Sequence, residues 1–389
     1  MRILYLQAFP LYGSGSGTYA RYLAREVNEI PGVETLILCP EKRNLNTIPI
    51  RYLTMPFPVA FTGHPEWEGC KLYRNLSHDE IVTLYLSFLK QTIATVKDFK
   101  PDMIHVHHAF PFSWAARFIK GVYGIPYMVT VHGSELPTVT NDRRYHPLTL
   151  DALRGARLII PNSYYTKDWV IKVFGAEFRR RMTVIPGGVD TKTFVKSTKA
   201  ETDDLDNTYG LKGKKVVLFT GKLTPYKGVE YLVKAAKWIK GEVVILGEGQ
   251  EMNNLLQLIK EQGITNVHML GHMGSKISKL VAFYSRADVF VAPSVWDEPL
   301  GLVILEAMAC ETPVVVTKKG GIPLAVKEWR NGVFIRARRV MDIVEKVNYL
   351  LDNDEKRKRM GKTAREIVEQ RFAWKLIAQQ FYTQYKRFG

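Results

Sequence analysis

Only three cysteines occur among the 389 residues, and Cys39, Cys70 and Cys310 have no spacing typical of disulfide pairs or of metal ligands. Long apolar runs are also absent, since none approaches the roughly 20 residues that a membrane-spanning helix requires. The first residues lead directly into a strand pattern, without the apolar segment of a signal peptide. These absences argue against a disulfide scaffold and predict a location in the reducing cytoplasm.

Acidic residues are few, because 38 Asp and Glu face 55 Lys and Arg and leave a formal net charge of +17. A basic surface attracts nucleic acids and anionic membranes without specificity. However, the excess is spread over both halves of the chain, and the sequence has no zinc finger, RNP motif or polybasic tail. We therefore expect no nucleic-acid partner. The cluster Arg179–Arg181 leaves one alternative open, a peripheral contact with an anionic membrane at the inner face of the plasma membrane.

The length and the order of patterns predict an α/β protein with two domains. The chain exceeds the size at which one hydrophobic core usually stops growing, and apolar strand patterns alternate with helical patterns in both halves. We expect two Rossmann-like, doubly wound domains, one at residues 1–190 and one at 215–371. Residues 191–214, rich in Lys, Thr, Asp and Asn, are predicted to be a linker. The aromatic, helical pattern at 372–389 is predicted to cross back to the first domain.

The stretch 293–313 carries the most informative pattern in the chain. One short apolar strand pattern precedes it and another follows, and Pro299 disfavours helical backbone in the residue before it. A helix should therefore begin near Gly301 or Leu302. The first amides of a helix have no acceptor within the helix and lie at the positive end of its dipole, so they bind phosphate readily. The predicted phosphate-binding amides are those of Gly301, Leu302 and Val303.

Four charged side chains accompany this turn. Glu298 precedes the helix and Glu306 lies eight residues later, where carboxylates can accept hydrogen bonds from sugar hydroxyls on both sides of a phosphate. Lys222 and Lys227 lie in a loop after the first strand of the second half, where two cations can neutralise a leaving diphosphate. Ordinary solvated acids and lysines are the alternative interpretation. The combination favours a ligand with hydroxyls around a phosphate, which describes a nucleotide sugar.

The first half carries weaker signals at its strand ends. Glycines between residues 13 and 17 precede a helix, but their spacing does not match the dinucleotide fingerprint G-x-G-x-x-G. His132 ends an apolar strand pattern, which places it at the carboxyl edge of a parallel sheet, where ligands bind. His105 and His107 share a strand face, but we expect no metal because no third ligand has useful spacing. The irregular segment 55–76 is either an edge connection or a wall of an acceptor site.

Several motifs stand in the order found in one enzyme family. They are Gly13-Ser-Gly-Ser-Gly-Thr18, Thr130-Val-His-Gly133, Val184-Ile-Pro-Gly-Gly-Val-Asp190, Gly221-Lys-Leu-Thr-Pro-Tyr-Lys-Gly228, Leu246-Gly-Glu-Gly249 and Glu298-Pro-Leu-Gly-Leu-Val-Ile-Leu-Glu306. In this ordered set the chain resembles the retaining glycosyltransferases of family 4 over nearly its whole length. The resemblance implies the GT-B architecture, in which two Rossmann-like domains face each other across a cleft, the first on the acceptor side and the second binding the nucleotide sugar.

The resemblance also implies roles for single residues. Glu306 would bind the nucleotide ribose, Glu298 would contact the donor sugar, and His132 would contact that sugar from the first domain. Lys222 and Lys227 would bind the diphosphate and stabilise it as it leaves. The catalytic residues implied are therefore His132, Lys222, Lys227 and Glu298; the further donor-binding residues are Gly15, Gly17, His272 and Met273 beside the base, Leu300, Gly301, Leu302, Val303 and Glu306.

The implied reaction transfers a hexosyl unit from a nucleotide sugar to a saccharide or lipid-linked acceptor, in polysaccharide or glycoconjugate synthesis. UDP-glucose is the expected donor because UDP sugars are frequent in the family, with GDP sugars next. In this family the acceptor hydroxyl is held to attack from the front face, so configuration is retained without a protein nucleophile. The lysines and the helix dipole would act in place of a metal, and no metal or other cofactor is expected.

Two other functions stay open at this point. A GT-B nucleotide-sugar epimerase shares the fold and the ribose-binding logic, but it needs acid/base groups at the sugar and no acceptor. A catalytically degenerate nucleotide-sugar-binding protein is the other alternative, because Lys222 and Leu324 stand where the family often has Arg and Glu.

Overall fold

The structure is a computed structural model that describes residues 1–62, 67–273 and 277–389. The chain folds into two compact units, which are Met1–Gly187 with Trp374–Gly389, and Gly188–Ala373. Both units are α/β, as the alternating strand and helix patterns predict. Over the residues described, no helix joins enough length to enough apolar character to span a lipid bilayer.

A parallel sheet of six strands forms the centre of the first unit. The strands of this unit are β1 (Arg2–Leu6), β2 (Glu34–Cys39), β3 (Ile50–Tyr52), β4 (Val59–Ala60), β5 (Lys71–Leu72), β6 (Met103–His107), β7 (Tyr127–Val131) and β8 (Leu158–Pro161). The order in the sheet is β3-β2-β1-β6-β7-β8, and β4 pairs separately with β5. The central strands are buried on both faces, which explains their continuous apolar sequences.

Helices cover both faces of this sheet. They are α1 (Gly15–Asn28), α2 (His78–Phe99), α3 (Phe112–Tyr123), α4 (Leu136–Asn141), α5 (His146–Gly155) and α6 (Tyr164–Phe174). Side chains alternate along a strand, so Leu4 and Leu6 of β1 pack into one core with α2, α3 and α5. Ile3 and Tyr5 of the same strand pack into the opposite core with α1.

The second unit repeats this architecture. Its strands are β9 (Val216–Thr220), β10 (Glu242–Leu246), β11 (Val267–Met269), β12 (Val289–Ala292), β13 (Val314–Thr317) and β14 (Gly332–Ile335); its helices are α7 (Lys199–Tyr209), α8 (Val229–Ala236), α9 (Met252–Glu261), α10 (Ile277–Arg286), α11 (Leu302–Ala309), α12 (Ile322–Ala325), α13 (Val340–Asp352) and α14 (Asp354–Arg371). The six strands are parallel in the order β11-β10-β9-β12-β13-β14. Both sheets therefore have the doubly wound order of Rossmann-like domains.

The last helix, α15 (Trp374–Phe388), belongs to the first unit, which confirms the predicted return of the chain. Trp374 is buried and its ring stacks on Tyr22 of α1 at a centroid distance of 5.9 Å. The Tyr385 hydroxyl lies 2.5 Å from His105 Nδ1 of β6. The aromatic side chains of this helix thus fill the core beneath α1.

The prediction that residues 191–214 form a linker is wrong. This stretch contains α7, which begins with a reciprocal capping box between Thr198 and Glu201. Leu205 is buried in the core of the second unit, and the Arg286 guanidinium donates to Asp206. The composition looked like a linker because α7 is largely solvent-exposed, and its buried face needs few apolar residues.

The irregular segment 55–76 is more structured than its sequence suggests. It contains β4, β5 and a short 3-10 helix, Tyr73–Asn75. Tyr73 is fully buried in the first core, which is an ordinary role for an edge connection. Residues 63–66 lie outside the described residues, and the acceptor-wall interpretation stays a prediction.

We expect Leu205→Ala to lower the free energy of unfolding by about 2–5 kcal/mol, because it leaves a cavity in the core of the second unit. Asp204→Ala is the matched control on the exposed face of the same helix, and it should change stability by less than about 0.5 kcal/mol. Urea unfolding followed by circular dichroism measures both. Equal midpoints for the two variants would contradict the structural role of α7.

Candidate active site

The strand order of the second unit predicts where a ligand binds at the edge of its sheet. From β9 the chain continues to β10 on one side and later to β12 on the other, so the order reverses between β9 and β12. In open parallel sheets, ligands bind outside the carboxyl ends of the strands at such a reversal. The loops that follow these two strands, 221–228 and 293–301, carry Lys222, Lys227 and Glu298.

These two loops are in backbone contact. Gly228 has a φ of +64°, and a Cβ atom at this position would lie only 2.3 Å from the Pro293 carbonyl oxygen. The Val295 amide donates a hydrogen bond of 2.9 Å to the Tyr226 carbonyl oxygen. Only glycine permits both the left-handed conformation and the close approach. The loops are therefore fixed next to each other independently of their charged side chains.

Lys227 and Glu298 form an ion pair across the two loops. The Glu298 side chain is only 9% exposed, and its Oε1 also accepts a hydrogen bond of 3.0 Å from Ser294 Oγ. Its backbone is held as well, because the Gly321 amide donates to the Glu298 carbonyl oxygen at 2.6 Å. Lys222 lies in the same loop as Lys227 and is partly buried. The structure thus brings together two of the predicted catalytic side chains.

Helix α11 begins where the sequence predicts, at Leu302. Gly301 is its N-cap residue and has a φ of +80°, and Leu300 anchors the preceding turn in the core. The amides at the start of the helix, those of Gly301, Leu302 and Val303, have no acceptor within the helix. Leu302 and Val303 are only partly buried, so this helix start can donate hydrogen bonds to an anion.

Glu306 is held by a tyrosine that the sequence did not reveal. The Tyr284 hydroxyl donates to Glu306 Oε2 at 2.8 Å and lies 2.7 Å from Thr220 Oγ1. Burial and the nearby charge of Glu306 raise the pKa of Tyr284 well above its ordinary value, so the hydroxyl stays protonated and can donate. The contact of Tyr284 with Glu306 spans 22 residues, so sequence spacing offered no signal for it. Ser294 lies four residues before Glu298 within the stretch 293–313, but its contact with that glutamate was not predicted.

The residues predicted to lie beside the base follow β11, next to the turn after β10. A Cβ atom on Gly247 would lie 1.9 Å from the Gly221 carbonyl oxygen, so these two turns pack backbone to backbone. The His272 amide donates to Glu248 Oε1 at 3.2 Å. Met273 packs against the core of the second unit. The role of His272 and Met273 at a base stays a prediction.

Gly15 and Gly17 lie in the first unit, and they belong to α1 rather than to the loop before it. Helix α1 begins at Gly15, with Ser14 as N-cap residue accepting from the Gly17 amide at 3.1 Å. A Cβ atom on Gly17 would lie 2.2 Å from the Pro10 carbonyl oxygen. Gly17 is explained in part by this close approach of α1 to the turn after β1, whereas a Cβ atom on Gly15 would meet no other atom within 4 Å. Binding of a donor at these positions stays a prediction.

His132 is also in the first unit, at the end of β7, and it is only 6% exposed. Its Nε2 atom lies 3.0 Å from His107 Nδ1 in a hydrogen bond, and the Tyr19 ring packs edge-on against it. Burial lowers the pKa of His132 and of His107 well below the ordinary value, so both imidazoles are neutral at pH 7. Contact of His132 with a donor sugar would thus be made by a neutral ring.

His105 extends this buried network on β6. Its Nδ1 bonds the Tyr385 hydroxyl, and its Nε2 lies 2.7 Å from Thr130 Oγ1. Burial lowers the pKa of His105 to about 3. In the described parts of the chain, no three His, Cys, Asp or Glu side chains are arranged to hold a metal ion. His105 bonds Tyr385 and Thr130, and His107 and His132 bond each other.

Comparison with protein families connects both units to sugar transfer. Residues 13–193 match the model of the Glycosyltransferase Family 4, and residues 201–367 match that of the Glycosyl transferases group 1. Among curated proteins, the alpha-maltose-1-phosphate synthase of Mycolicibacterium smegmatis is 26% identical over 383 residues, covering 92% of this chain and 95% of that protein.

Solved structures show the same fold at lower sequence identity. The sucrose-phosphate synthase of Thermosynechococcus elongatus matches with a TM-score of 0.80 at 20% identity, over 99% of this chain and 98% of the other. Anabaena HepE in complex with UDP-glucose matches with a TM-score of 0.78 at 20% identity, over the full length of both chains. These neighbours are GT-B structures, so the predicted fold is confirmed.

The buried histidines predict a specific dependence of stability on pH. The pKa of His105 is about 3 in the folded chain, below the unfolded value near 6.5. Between these values the unfolded chain binds the extra proton, so stability falls as the pH falls. His105→Gln should reduce the pH slope of the free energy of unfolding by up to about 1.4 kcal/mol per pH unit between pH 6 and 4.

Urea unfolding at several pH values measures this slope. His78→Gln, at an exposed position in the first turn of α2, is the control and should keep the slope of the unsubstituted chain. If His105→Gln and His78→Gln gave the same slope, His105 would not be a buried neutral imidazole.

Proposed function

The chain belongs to glycosyltransferase family 4, and on this premise we propose that it transfers a hexosyl unit from a nucleotide sugar to a saccharide or lipid-linked acceptor. The observation that carries the proposal is the convergence of Lys227, Glu298 and the start of α11 at the strand reversal of the second unit. UDP-glucose is the proposed donor, supported by the UDP-glucose complex of the structural neighbour HepE.

The proposed donor contacts follow from the chemistry of the side chains. The diphosphate accepts hydrogen bonds from the first amides of α11 and is neutralised by Lys222 and Lys227. Glu306, oriented by Tyr284, accepts hydrogen bonds from the ribose hydroxyls. Glu298 contacts the sugar through Oε2, because Oε1 already accepts from Lys227 and Ser294.

The proposed reaction retains the configuration at the anomeric carbon. The bond between that carbon and the diphosphate oxygen breaks, the electron pair leaves with the diphosphate, and the acceptor hydroxyl forms the new bond from the same face. Its proton passes to the departing phosphate, so the step needs no protein nucleophile. Lys222, Lys227 and the dipole of α11 stabilise the charge that develops on the leaving group, and we propose that no metal is needed.

An epimerase and a degenerate binding protein are the competing functions. An epimerase would convert the nucleotide sugar without an acceptor and would release no nucleotide. A binding protein would retain the donor unchanged. The position of Glu298 supports catalysis over binding alone, because Lys227 and Ser294 hold one carboxylate oxygen and leave the other available to a bound sugar.

Nucleotide release from a panel of UDP, GDP and ADP sugars tests the proposal. We expect UDP release from UDP-glucose, and a loss of about 100- to 1,000-fold in kcat for Lys227→Met, because one charge is removed from the leaving group. Lys237→Met, on the exposed surface beyond α8, is the control and should act as the unsubstituted chain. Epimerised sugar nucleotide without release, or no turnover of any donor, would contradict the transferase assignment.

The two glutamates should separate binding from turnover. Glu306→Ala should weaken binding of UDP by about 10- to 100-fold, since hydrogen bonds to a charged group are lost. Glu298→Ala should lower kcat while the dissociation constant of UDP changes less than fivefold. Calorimetric titration with UDP and steady-state kinetics give the two values, with exposed Glu261→Ala as control. Equal losses of UDP affinity in both variants would refute the division of roles.

A further inference from the structure

His132, which follows β7, is held by the side chains of three other residues. Its amide donates to Glu135 Oε1 at 3.0 Å, and its carbonyl oxygen accepts from Asn162 Nδ2 at 3.0 Å. Its ring atom Nε2 lies 3.0 Å from His107 Nδ1. Glu135 and His107 are fully buried. Because both the backbone and the ring are held by buried groups, the orientation of the His132 imidazole is fixed.

The two ring nitrogens of His132 have different surroundings. Nε2 faces His107 in the interior of the first unit. Nδ1 has no hydrogen-bond partner among the residues that the structure describes and, unlike His107 Nε2, it is not a fully buried atom. Nδ1 is therefore the ring atom that a ligand can reach at this strand end. Whether it donates or accepts a hydrogen bond depends on which nitrogen of the ring carries the proton.

The hydrogen bond between the two rings couples their tautomers. Burial lowers the pKa of both imidazoles, so each is neutral and has a single N–H group. In the first possible arrangement His107 Nδ1 donates to His132 Nε2, and the proton of His132 is on Nδ1. In the second arrangement His132 Nε2 donates to His107 Nδ1, and the proton of His107 is on Nε2.

The other ring nitrogen of His107 decides between the arrangements. Its Nε2 is buried without a hydrogen-bond partner. Aromatic rings pack around this imidazole, since His105 stacks on it at a centroid distance of 4.8 Å and Tyr19 lies edge-on at 5.9 Å. The second arrangement would bury an N–H group without an acceptor, which is rare in native structures. The first buries a bare acceptor, which native structures tolerate more often, and it is therefore favoured.

We infer that His107 is a positioning residue that fixes His132 as a hydrogen-bond donor, whose Nδ1–H group binds a hydroxyl oxygen of the sugar. The identity of that ligand rests on the proposed function. The lone pair of His132 Nε2 is occupied by His107 and Nδ1 already carries a proton, so this ring does not take the proton of an acceptor hydroxyl. The departing phosphate takes it in the proposed reaction. His132 likewise does not supply the base that an epimerase would need.

Nitrogen NMR of the full chain tests the tautomers without any assay of transfer. Two-bond ¹H–¹⁵N correlation spectra of protein labelled at histidine show which nitrogen of each ring carries the proton. The two rings are assigned by the signals lost in His107→Asn and in His132→Gln. We expect the Nδ1–H form for both rings of the unsubstituted chain. The Nε2–H form as the main species of His132 would overturn the inference.

Two substitutions of equal size at position 107 separate positioning from packing. Asn offers an amide N–H group near the position of the imidazole Nδ1, whereas Leu has the same shape without a donor. His107→Asn should retain kcat/KM for nucleotide release from UDP-glucose and keep the Nδ1–H form of His132. His107→Leu should lower kcat/KM about 3- to 10-fold, because one hydrogen bond that orients the ring is lost.

A role of His107 in packing alone predicts the opposite order, because Leu suits a fully buried position better than Asn. Equal activity of the two variants, or higher activity of His107→Leu, would therefore refute the positioning role. His105→Leu is the control for loss of a buried imidazole on the same face of β6, and it should act as the unsubstituted chain. Circular dichroism checks that each variant is folded. Absence of nucleotide release in the unsubstituted chain would refute the proposed function, and the spectra would still decide the tautomers.

Discussion

The contact between the loops after β9 and β12 is the constraint on which the candidate active site depends. Because Gly228 has no side chain, its backbone approaches Pro293 closely enough that the two loops act as one surface. Lys227 and Glu298 can then pair at short range although 71 residues separate them. A partly buried charge is unfavourable unless an opposite charge is held beside it. By holding the two loops together, the glycine contact keeps Lys227 beside Glu298 and offsets the desolvation of its carboxylate. The ion pair in turn orients that carboxylate.

The two units share a strand order but differ in the chemistry at their strand ends. The second unit presents lysines, carboxylates and an uncapped helix start, which suit a charged, hydroxyl-rich ligand. The first unit presents neutral imidazoles, because His105, His107 and His132 are buried and their pKa values are lowered.

Local sequence patterns predicted much of this structure. The sequences of β12 and β13 are continuously apolar because parallel strands are covered on both faces, and the start of α11 followed from Pro299 and Gly301. The linker prediction failed at α7, where composition concealed a helix with a single buried leucine, Leu205. Tyr284 escaped notice because its partner Glu306 is 22 residues away and no spacing rule connects them, whereas Ser294 lies only four residues before Glu298.

The sequence by itself determined the fold class and the order of the family motifs. It also singled out Lys227, Glu298 and Glu306 as candidate site residues, since each of these inferences depends on periodicity or on short-range spacing. Tertiary structure decided which of these side chains touch. In the folded chain Lys227 forms an ion pair with Glu298, and the Tyr284 hydroxyl donates a hydrogen bond to Glu306. His132 is buried against His107. The physical reason is that hydrogen bonds and desolvation depend on neighbours brought together by the order of strands in the sheet. That order is a property of the whole chain, and a local stretch does not contain it.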